Sequence, residues 1–313
     1  MTAVDVSAIV VTWNRPKLLR TCLESLRRAI RASSLRWELL VVDNGSTAGD
    51  AALVEREFPE ASLIRSPSNI GFACANNLAL KRSSGRSLLL VNNDVRVSSG
   101  MVDELCQYLE WHPEVGIVGP QLILPDGTTQ QSWGRFLTPW RACLEALHIG
   151  WLADRLRGRR RPLLPPAPLR VDWVSGGCFL IRREVIDRVG DLDPRYFFYS
   201  EDMDWCRRAR RAGWEVHYLP QAAVLHDHAG TAYTDPSWYA WMLQEGRRLF
   251  LEKYYGHWSV AAFRLATLVG SLPLIVKWQL RRGPYAAKRR REARGHLSWA
   301  LRAGRRSSGG DRQ

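Results

Sequence analysis

Several signatures are missing from this 313-residue chain. Neither a Gly-x-Gly-x-x-Gly fingerprint nor a Gly-x-x-x-x-Gly-Lys-Ser/Thr phosphate loop occurs, which argues against a dehydrogenase and a P-loop ATPase. The six cysteines, at positions 22, 74, 106, 143, 178 and 206, form no Cys-x-x-Cys pair. That excludes metal-finger spacing and suits free thiols in a reducing compartment. The start of the chain has no charged segment followed by an apolar one, so no secretory signal is expected. No internal repeat is visible. Acidic residues are scarce, with 31 Asp and Glu against 45 Lys and Arg. The imbalance is local: from Lys277 onward twelve Lys and Arg face only Glu292 and Asp311, a surplus of 10 out of the chain's net +14. The basicity therefore belongs to an appendage, with a second cluster from Arg155 to Arg161. Such segments suit anionic lipid surfaces or nucleic acid.

What is present begins with an alternation of strands and helices over the first 125 residues. Strands are predicted at 4–11, 38–42, 62–65, 87–91 and 116–124. Helices are predicted from Pro16, where Leu19, Cys22, Leu23, Leu26 and Ile30 keep a helical period, and at 53–58, 72–80 and 102–111. Repeated βα units imply a largely parallel sheet with right-handed crossovers. Residues 128–170 read as an irregular excursion. Beyond them come a strand at 171–181 interrupted by Ser175-Gly176-Gly177, helices at 184–189 and from Ser200 to Ala212, short strands at 215–219 and 223–226, and a helix at about 237–255.

Three of these strands end in polar groups: Thr12-Trp13-Asn14-Arg15, Asp43-Asn44-Gly45-Ser46 and Asn92-Asn93-Asp94. In a parallel sheet such tips converge on one edge, where open α/β sheets bind ligands. Asp43 is suited to accept hydrogen bonds from a base N–H or a ribose hydroxyl. Asn69-Ile70-Gly71-Phe72 adds a loop before a helix whose N-terminus favours phosphate. The run Leu88-Leu89-Leu90-Val91-Asn92-Asn93-Asp94 delivers one carboxylate flanked by amides, a set that can hold a hard divalent cation and leave positions for water and phosphate oxygens. Together these loops describe a nucleotide-diphosphate site; singly, each also reads as an ordinary turn or helix cap.

The chain resembles the family 2 glycosyltransferases of GT-A fold, particularly bacterial rhamnosyltransferase-like members. The carrying residues are Ile9-Val10-Val11-Thr12-Trp13-Asn14-Arg15, Val41-Val42-Asp43-Asn44-Gly45-Ser46, Asn69-Ile70-Gly71-Phe72, Val91-Asn92-Asn93-Asp94, Gly176-Gly177 and Ser200-Glu201-Asp202-Met203-Asp204-Trp205. They run in family order over residues 4–232. The resemblance implies an inverting transfer from a nucleotide-diphosphate sugar, with dTDP-L-rhamnose the leading donor and a UDP-sugar second. It implies that Thr12, Asn14 and Asp43 hold the nucleoside, and that Arg15, Asn69, Gly71, Asn92, Asn93, Gly176 and Gly177 complete the nucleotide-sugar site. Asp94 would bind Mg²⁺ or Mn²⁺, joined by His226. Asp202 would be the general base, with Glu201 beside it. One departure is that the metal motif, often Asp-x-Asp, begins here with Asn92. The Gln-x-x-Arg-Trp element of processive synthases is also missing, since Gln244-Glu245-Gly246-Arg247-Arg248 does not match.

The expected architecture is an α/β GT-A, Rossmann-like catalytic domain over 1–235 with a mostly parallel central sheet, then a helical, basic, membrane-surface extension over 236–313. Leu265 to Val276 is apolar for twelve residues between Arg264 and Lys277. That is short of the ~20 needed to span a bilayer, and Pro273 interrupts it. A helix lying in the membrane surface with Trp258 and Trp278 as anchors is expected. The expected partners are a glycan or glycolipid acceptor and an anionic membrane surface. Nucleic acid is not expected, because no recognition module accompanies the basic tail. The expected location is cytoplasmic, on the inner face of the cell membrane. The competing readings are a UDP-sugar-dependent transferase for a protein or small-molecule acceptor, and a basic nucleic-acid-binding protein.

Overall fold

A computed structural model describes residues 4–150, 165, 167–227 and 235–302. The basic cluster at 155–161, the Pro162–Pro166 run apart from Pro165, His228 and the tail from 303 lie outside the described residues. The chain divides into two compact units: one made of 1–136, 164–197 and 201–230, the other of 137–163, 198–200 and 231–313.

The first unit is built on β1 (Val6–Thr12), β2 (Trp37–Asp43), β3 (Ser62–Arg65) and β4 (Ser87–Asn92). Their runs are apolar almost without interruption, as strands covered on both faces must be. β2 and β4 flank β1 in parallel, and β3 adds outside β2. Short β5 (Val95–Val97), β6 (Val115–Ile123), β7 (Thr129–Gln130), β8 (Trp133–Gly134), β9 (Leu169–Val171), β10 (Trp173–Val174), β11 (Cys178–Arg182) and β12 (Glu215–His226) follow. The main sheet runs β3-β2-β1-β4-β11-β6-β12-β5, with β11 antiparallel to β4 and β6. Strand order reverses between β1 and β4, and a crevice opens outside the carboxyl ends of strands at such a reversal.

Helices cover both faces. Alternate residues Val6, Ala8, Val10, Leu39, Val41, Leu89 and Val91 pack with α1 (Pro16–Ala32), α2 (Asp50–Glu57) and α4 (Met101–Trp111). The intervening Ile9, Leu40, Val42, Leu88 and Leu90 pack with α3 (Phe72–Leu80), α6 (Arg183–Val189) and α7 (Glu201–Arg211). Period-two alternation thus feeds two cores, one on each side of the sheet.

Four predicted elements need correction. The single strand at 171–181 is three strands: β10 pairs with β8 in a separate ribbon, and β11 joins the main sheet after Gly176-Gly177. The two strands at 215–219 and 223–226 are one long β12 whose register shifts between Leu219 and Ala223. The excursion 128–170 contains β7, β8 and α5 (Pro139–Ala146), the last capped by the Thr138 hydroxyl accepting from the Arg141 N–H. β5 follows Asp94 directly and pairs antiparallel with the end of β12, His226 opposite Val95.

The second unit contains α5, α8 (Pro236–Tyr255), α9 (His257–Gln279) and α10 (Pro284–Leu301). The apolar segment is not confined to residues 265–276; it lies inside a 23-residue helix that carries Pro273. Five of the twelve basic residues from Lys277 onward, Lys288, Arg289, Arg290, Arg291 and Arg294, lie in α10. Close helix packing uses glycine: a Cβ on Gly270 would stand 2.0 Å from the Ala146 carbonyl, and one on Gly295 would stand 2.3 Å from that of Ser237.

Candidate active site

The parallel register sets Thr12 beside Asp43, and Val11 beside Asn92. The polar tips therefore meet at the carboxyl edge next to the strand-order reversal. Thr12 is buried; its hydroxyl donates to Asp50 Oδ1 at 2.5 Å and accepts from Asn93 Nδ2 at 3.0 Å. Asn14 adopts a left-handed backbone, φ +54°. Its side-chain oxygen accepts from the Thr47 and Ala48 N–H groups at 2.7 and 3.0 Å. Asn14 thereby fastens the loop after β2 to the loop after β1. The Arg15 N–H donates to Asp50 Oδ1 at 2.9 Å, and the Arg15 guanidinium has no partner among the described residues.

Asp43 is buried, and its Oδ1 accepts from the Ser46 N–H at 3.0 Å. Asn44 connects this tip to the next loop: its amide donates to Asn69 Oδ1 at 3.0 Å and accepts from the Ile70 N–H at 3.0 Å. Asn69 Oδ1 also accepts from the Gly71 N–H. Gly71 has φ +86°, and a Cβ there would stand 2.8 Å from the ring and carbonyl of Phe197. Both constraints call for glycine.

On the other side of β1, the Asn92 N–H donates to the Gly177 carbonyl at 2.9 Å. The neighbouring Gly176 N–H donates to Asp202 Oδ2 at 2.7 Å, and Asp202 Oδ1 accepts from the Met203 N–H at 2.7 Å. A Cβ on Gly176 would lie 3.4 Å from Asp202 Oδ2, in contact with that carboxyl. Burial pushes the Asp202 carboxyl upward, while these N–H groups favour its ionised form. Glu201 is pushed well above the usual carboxylate range, first by burial and then by the Asp202 charge. Its Oε2 is buried with no hydrogen-bond partner among the described residues, as is Asn92 Oδ1. Of the pair, Glu201 is driven further toward its protonated form, and Asp202 is the one whose ionised form N–H groups favour. Asp204, in the same acidic run, is wholly buried and bonded to Arg208 at 2.9 Å, so it braces the helix.

Asp94 and His226 are both buried and meet because β5 pairs with β12. His226 Nε2 stands 3.2 Å from Asp94 Oδ1, and His226 Nδ1 stands 2.5 Å from Gln130 Oε1. With Nδ1–H donating to Gln130, a neutral imidazole turns its Nε2 lone pair toward the carboxylate. Two lone-pair donors facing each other fit a divalent cation between them. No group of three His, Cys, Asp or Glu side chains gathers among the described residues. These two residues would hold a hard divalent cation such as Mg²⁺ or Mn²⁺ and would leave further positions open.

The structure thus joins Thr12, Asp43, Asn92, Asn93, Gly176, Gly177 and Asp202 through direct contacts. Asn69 and Gly71 attach through Asn44, and Asp94 pairs with His226. Sequence reasoning missed three supports. Asp50, fully buried, ties β1 to α1, but the α2 helix was expected to begin at Leu53. Gln130, which orients His226, lay in the stretch read as irregular. Asn44 stood in a motif without a role of its own; its adjacency to Asp43 was the available signal.

Comparison with known proteins identifies the family and the fold. Residues 7–190 match the glycosyl transferase family 2 profile. The chain is 30% identical over 279 residues to an N-acetylglucosaminyl-diphospho-decaprenol L-rhamnosyltransferase of Mycobacterium tuberculosis, covering 82% of this chain and 90% of that one. Among solved structures it is similar to a mannosyltransferase from Pyrobaculum calidifontis in complex with GDP-Man and Mn²⁺, with TM-score 0.57 and 16% identity over 96% of this chain and 86% of that one. It is also similar to GalNAc-T7 with UDP, GalNAc and Mn²⁺, with TM-score 0.58 and 15% identity over 96% and 56%.

Proposed function

The chain belongs to glycosyl transferase family 2 and has the GT-A fold, and from this we propose that it transfers L-rhamnose from dTDP-L-rhamnose to a hydroxyl of a lipid-linked glycan. The observation that carries the reading is Asp202. It is a half-buried carboxyl whose ionised form is favoured by the Gly176 N–H at 2.7 Å, beside the strand whose tip bears Asn92 and Asp94. The likeness to the mycobacterial rhamnosyltransferase over nearly its whole length supports the sugar and the lipid-diphosphate acceptor.

The chemistry follows from the residues. The acceptor hydroxyl is a poor nucleophile, and Asp202 takes its proton as the oxygen attacks the anomeric carbon. Attack comes from the face opposite the diphosphate, so the anomeric centre inverts and one base suffices. Glu201, kept neutral, leaves Asp202 the single negative charge of the pair. Asp43 accepts from the base or ribose, while Thr12 and Asn14 hold the surrounding loops. Arg15 supplies positive charge, and the loop of Asn69 and Gly71 admits the donor to the N-terminus of α3. Asn92 and Asn93 flank Asp94, and Gly176 and Gly177 let the sugar approach backbone. A divalent cation held by Asp94 and His226 would neutralise charge on the departing diphosphate. The enzyme works at the inner face of the cell membrane, drawing nucleotide sugar from the cytosol.

The test is a donor panel with an N-acetylglucosaminyl-diphospho-polyprenol acceptor, read as nucleoside diphosphate release. Acceptor-dependent release from dTDP-L-rhamnose, with an inverted linkage by NMR, is expected. Release confined to UDP-sugars, or independent of the lipid acceptor, would overturn the assignment.

A further inference from the structure

Helix α9 is built inside out. Its inward residues within the second unit are small or polar: Ser259, Ala266, Thr267, Gly270 and Ser271, with Phe263 and Trp278. The hydroxyls of Thr267 and Ser271 are spent on backbone carbonyls one turn back, and that of Ser259 on the Gly256 and Leu251 carbonyls. Its large apolar side chains point outward. Trp258 is 89% exposed, Leu265 63%, Val269 50%, Leu272 52%, Val276 58% and Leu280 82%. At 3.6 residues per turn these six fall within an arc of about 80° and along about 33 Å. A soluble helix shows the reverse pattern, and small residues packed inward with aliphatics outward are the habit of helices that meet lipid.

The stripe ends in cations. Lys277 and Arg281 lie 5.3 Å from the Trp278 ring centre and Arg289 lies 5.9 Å from it. Arg282 is exposed beside them. Arg264, in the first half of the helix, donates to the Arg302 carbonyl at 3.1 Å and stacks 5.3 Å from Trp299. By length and composition α9 could cross a membrane, but three features oppose that. Its inner face is packed along its length. The next helix, α10, carries Lys288, Arg289, Arg290, Arg291 and Arg294. Pro273 cannot donate to the Val269 carbonyl, which then needs a partner that hydrocarbon lacks.

We propose that the outward stripe of α9, Trp258 to Leu280, seats the protein in the interface of an anionic bilayer. The helix lies parallel to the surface with its aliphatics among the acyl chains, and Lys277, Arg281 and Arg282 meet the headgroups. Such seating refines the location proposed above and needs no substrate, so failure of the transfer reaction and failure of the seating are distinguishable.

The full chain is tested by co-sedimentation with phosphatidylglycerol–phosphatidylcholine vesicles at low and high salt, with circular dichroism for folding. Binding with a salt-resistant fraction is expected. Leu272→Glu with Val276→Glu alters only outward side chains; it should leave the thermal melt unchanged and weaken high-salt binding about tenfold or more. Arg281→Gln with Arg282→Gln should weaken low-salt binding instead. Absence of vesicle binding by the full chain overturns the proposal, as does unchanged binding by the glutamate variant. A dimer in sedimentation velocity that the glutamate variant dissolves, with vesicle binding unaltered, would assign the stripe to a second copy.

Discussion

At the scale of residues, the site turns on how two adjacent carboxyls divide one charge. Glu201 has a buried oxygen without a hydrogen-bond partner among the described residues, whereas both Asp202 oxygens receive N–H groups. Asp202→Asn keeps the shape and should cut kcat by about 10²–10⁴ while donor affinity, measured by calorimetry, stays near that of the parent. Glu201→Gln mimics the neutral form and should retain most of the turnover. An exchange of these two outcomes would exchange the roles. The same pair sets a pH dependence. Burial raises the folded-state pKa of Asp202 above its ordinary 3.8, so the base is ionised above that raised value and is lost as pH falls through it. The acid limb of kcat should therefore lie above the usual aspartate range, and the residual activity of Asp202→Asn should lack that limb.

At the scale of elements, loops that look independent in sequence are fastened to one another. Asn14 joins the loops after β1 and β2, Asn44 joins β2 to the loop before α3, and the three-residue β5 brings Asp94 to His226. The loop at Gly71 is tightly constrained, by φ +86° and by the Phe197 ring and carbonyl, each 2.8 Å from the position of a Cβ. Gly71→Ala forces a strained backbone and displaces that neighbour. We expect a loss of about 2 kcal/mol by urea unfolding, together with a raised donor KM, because the loop precedes the α3 N-terminus.

At the scale of the whole molecule, ligand binding and stability are linked. Asp94 and His226 supply two donors, too few to hold a hard cation firmly without the diphosphate. Mn²⁺ and nucleoside diphosphate together should raise Tm by more than the sum of their separate effects, since each completes the other's site. Asp94→Ala should abolish that excess and nearly abolish transfer, and a chelator should suppress turnover of the parent enzyme. Full turnover after verified metal removal would refute the metal's role.

The sequence by itself determined the parts governed by local chemistry. Apolar runs such as 87–91, the helical period after Pro16 and the amides and carboxylates at strand tips made the α/β sheet and its ligand edge legible. The ordered motifs from Thr12 to Asp202 identified the family. Only tertiary structure decided what depends on partners distant in the chain. It split 171–181 into strands of two sheets, because Ser175-Gly176-Gly177 leaves the ladder there. It merged 215–226 into one bulged strand, because β6 pairs with both halves across Pro220. It also set the two neighbouring carboxyls apart, since burial and N–H donors reach Glu201 and Asp202 unequally. Apolar composition made α9 visible, but which face it buries is a fact of packing: Gly270 lets the Ala146 backbone approach one side, and the aliphatic side is exposed among the described residues.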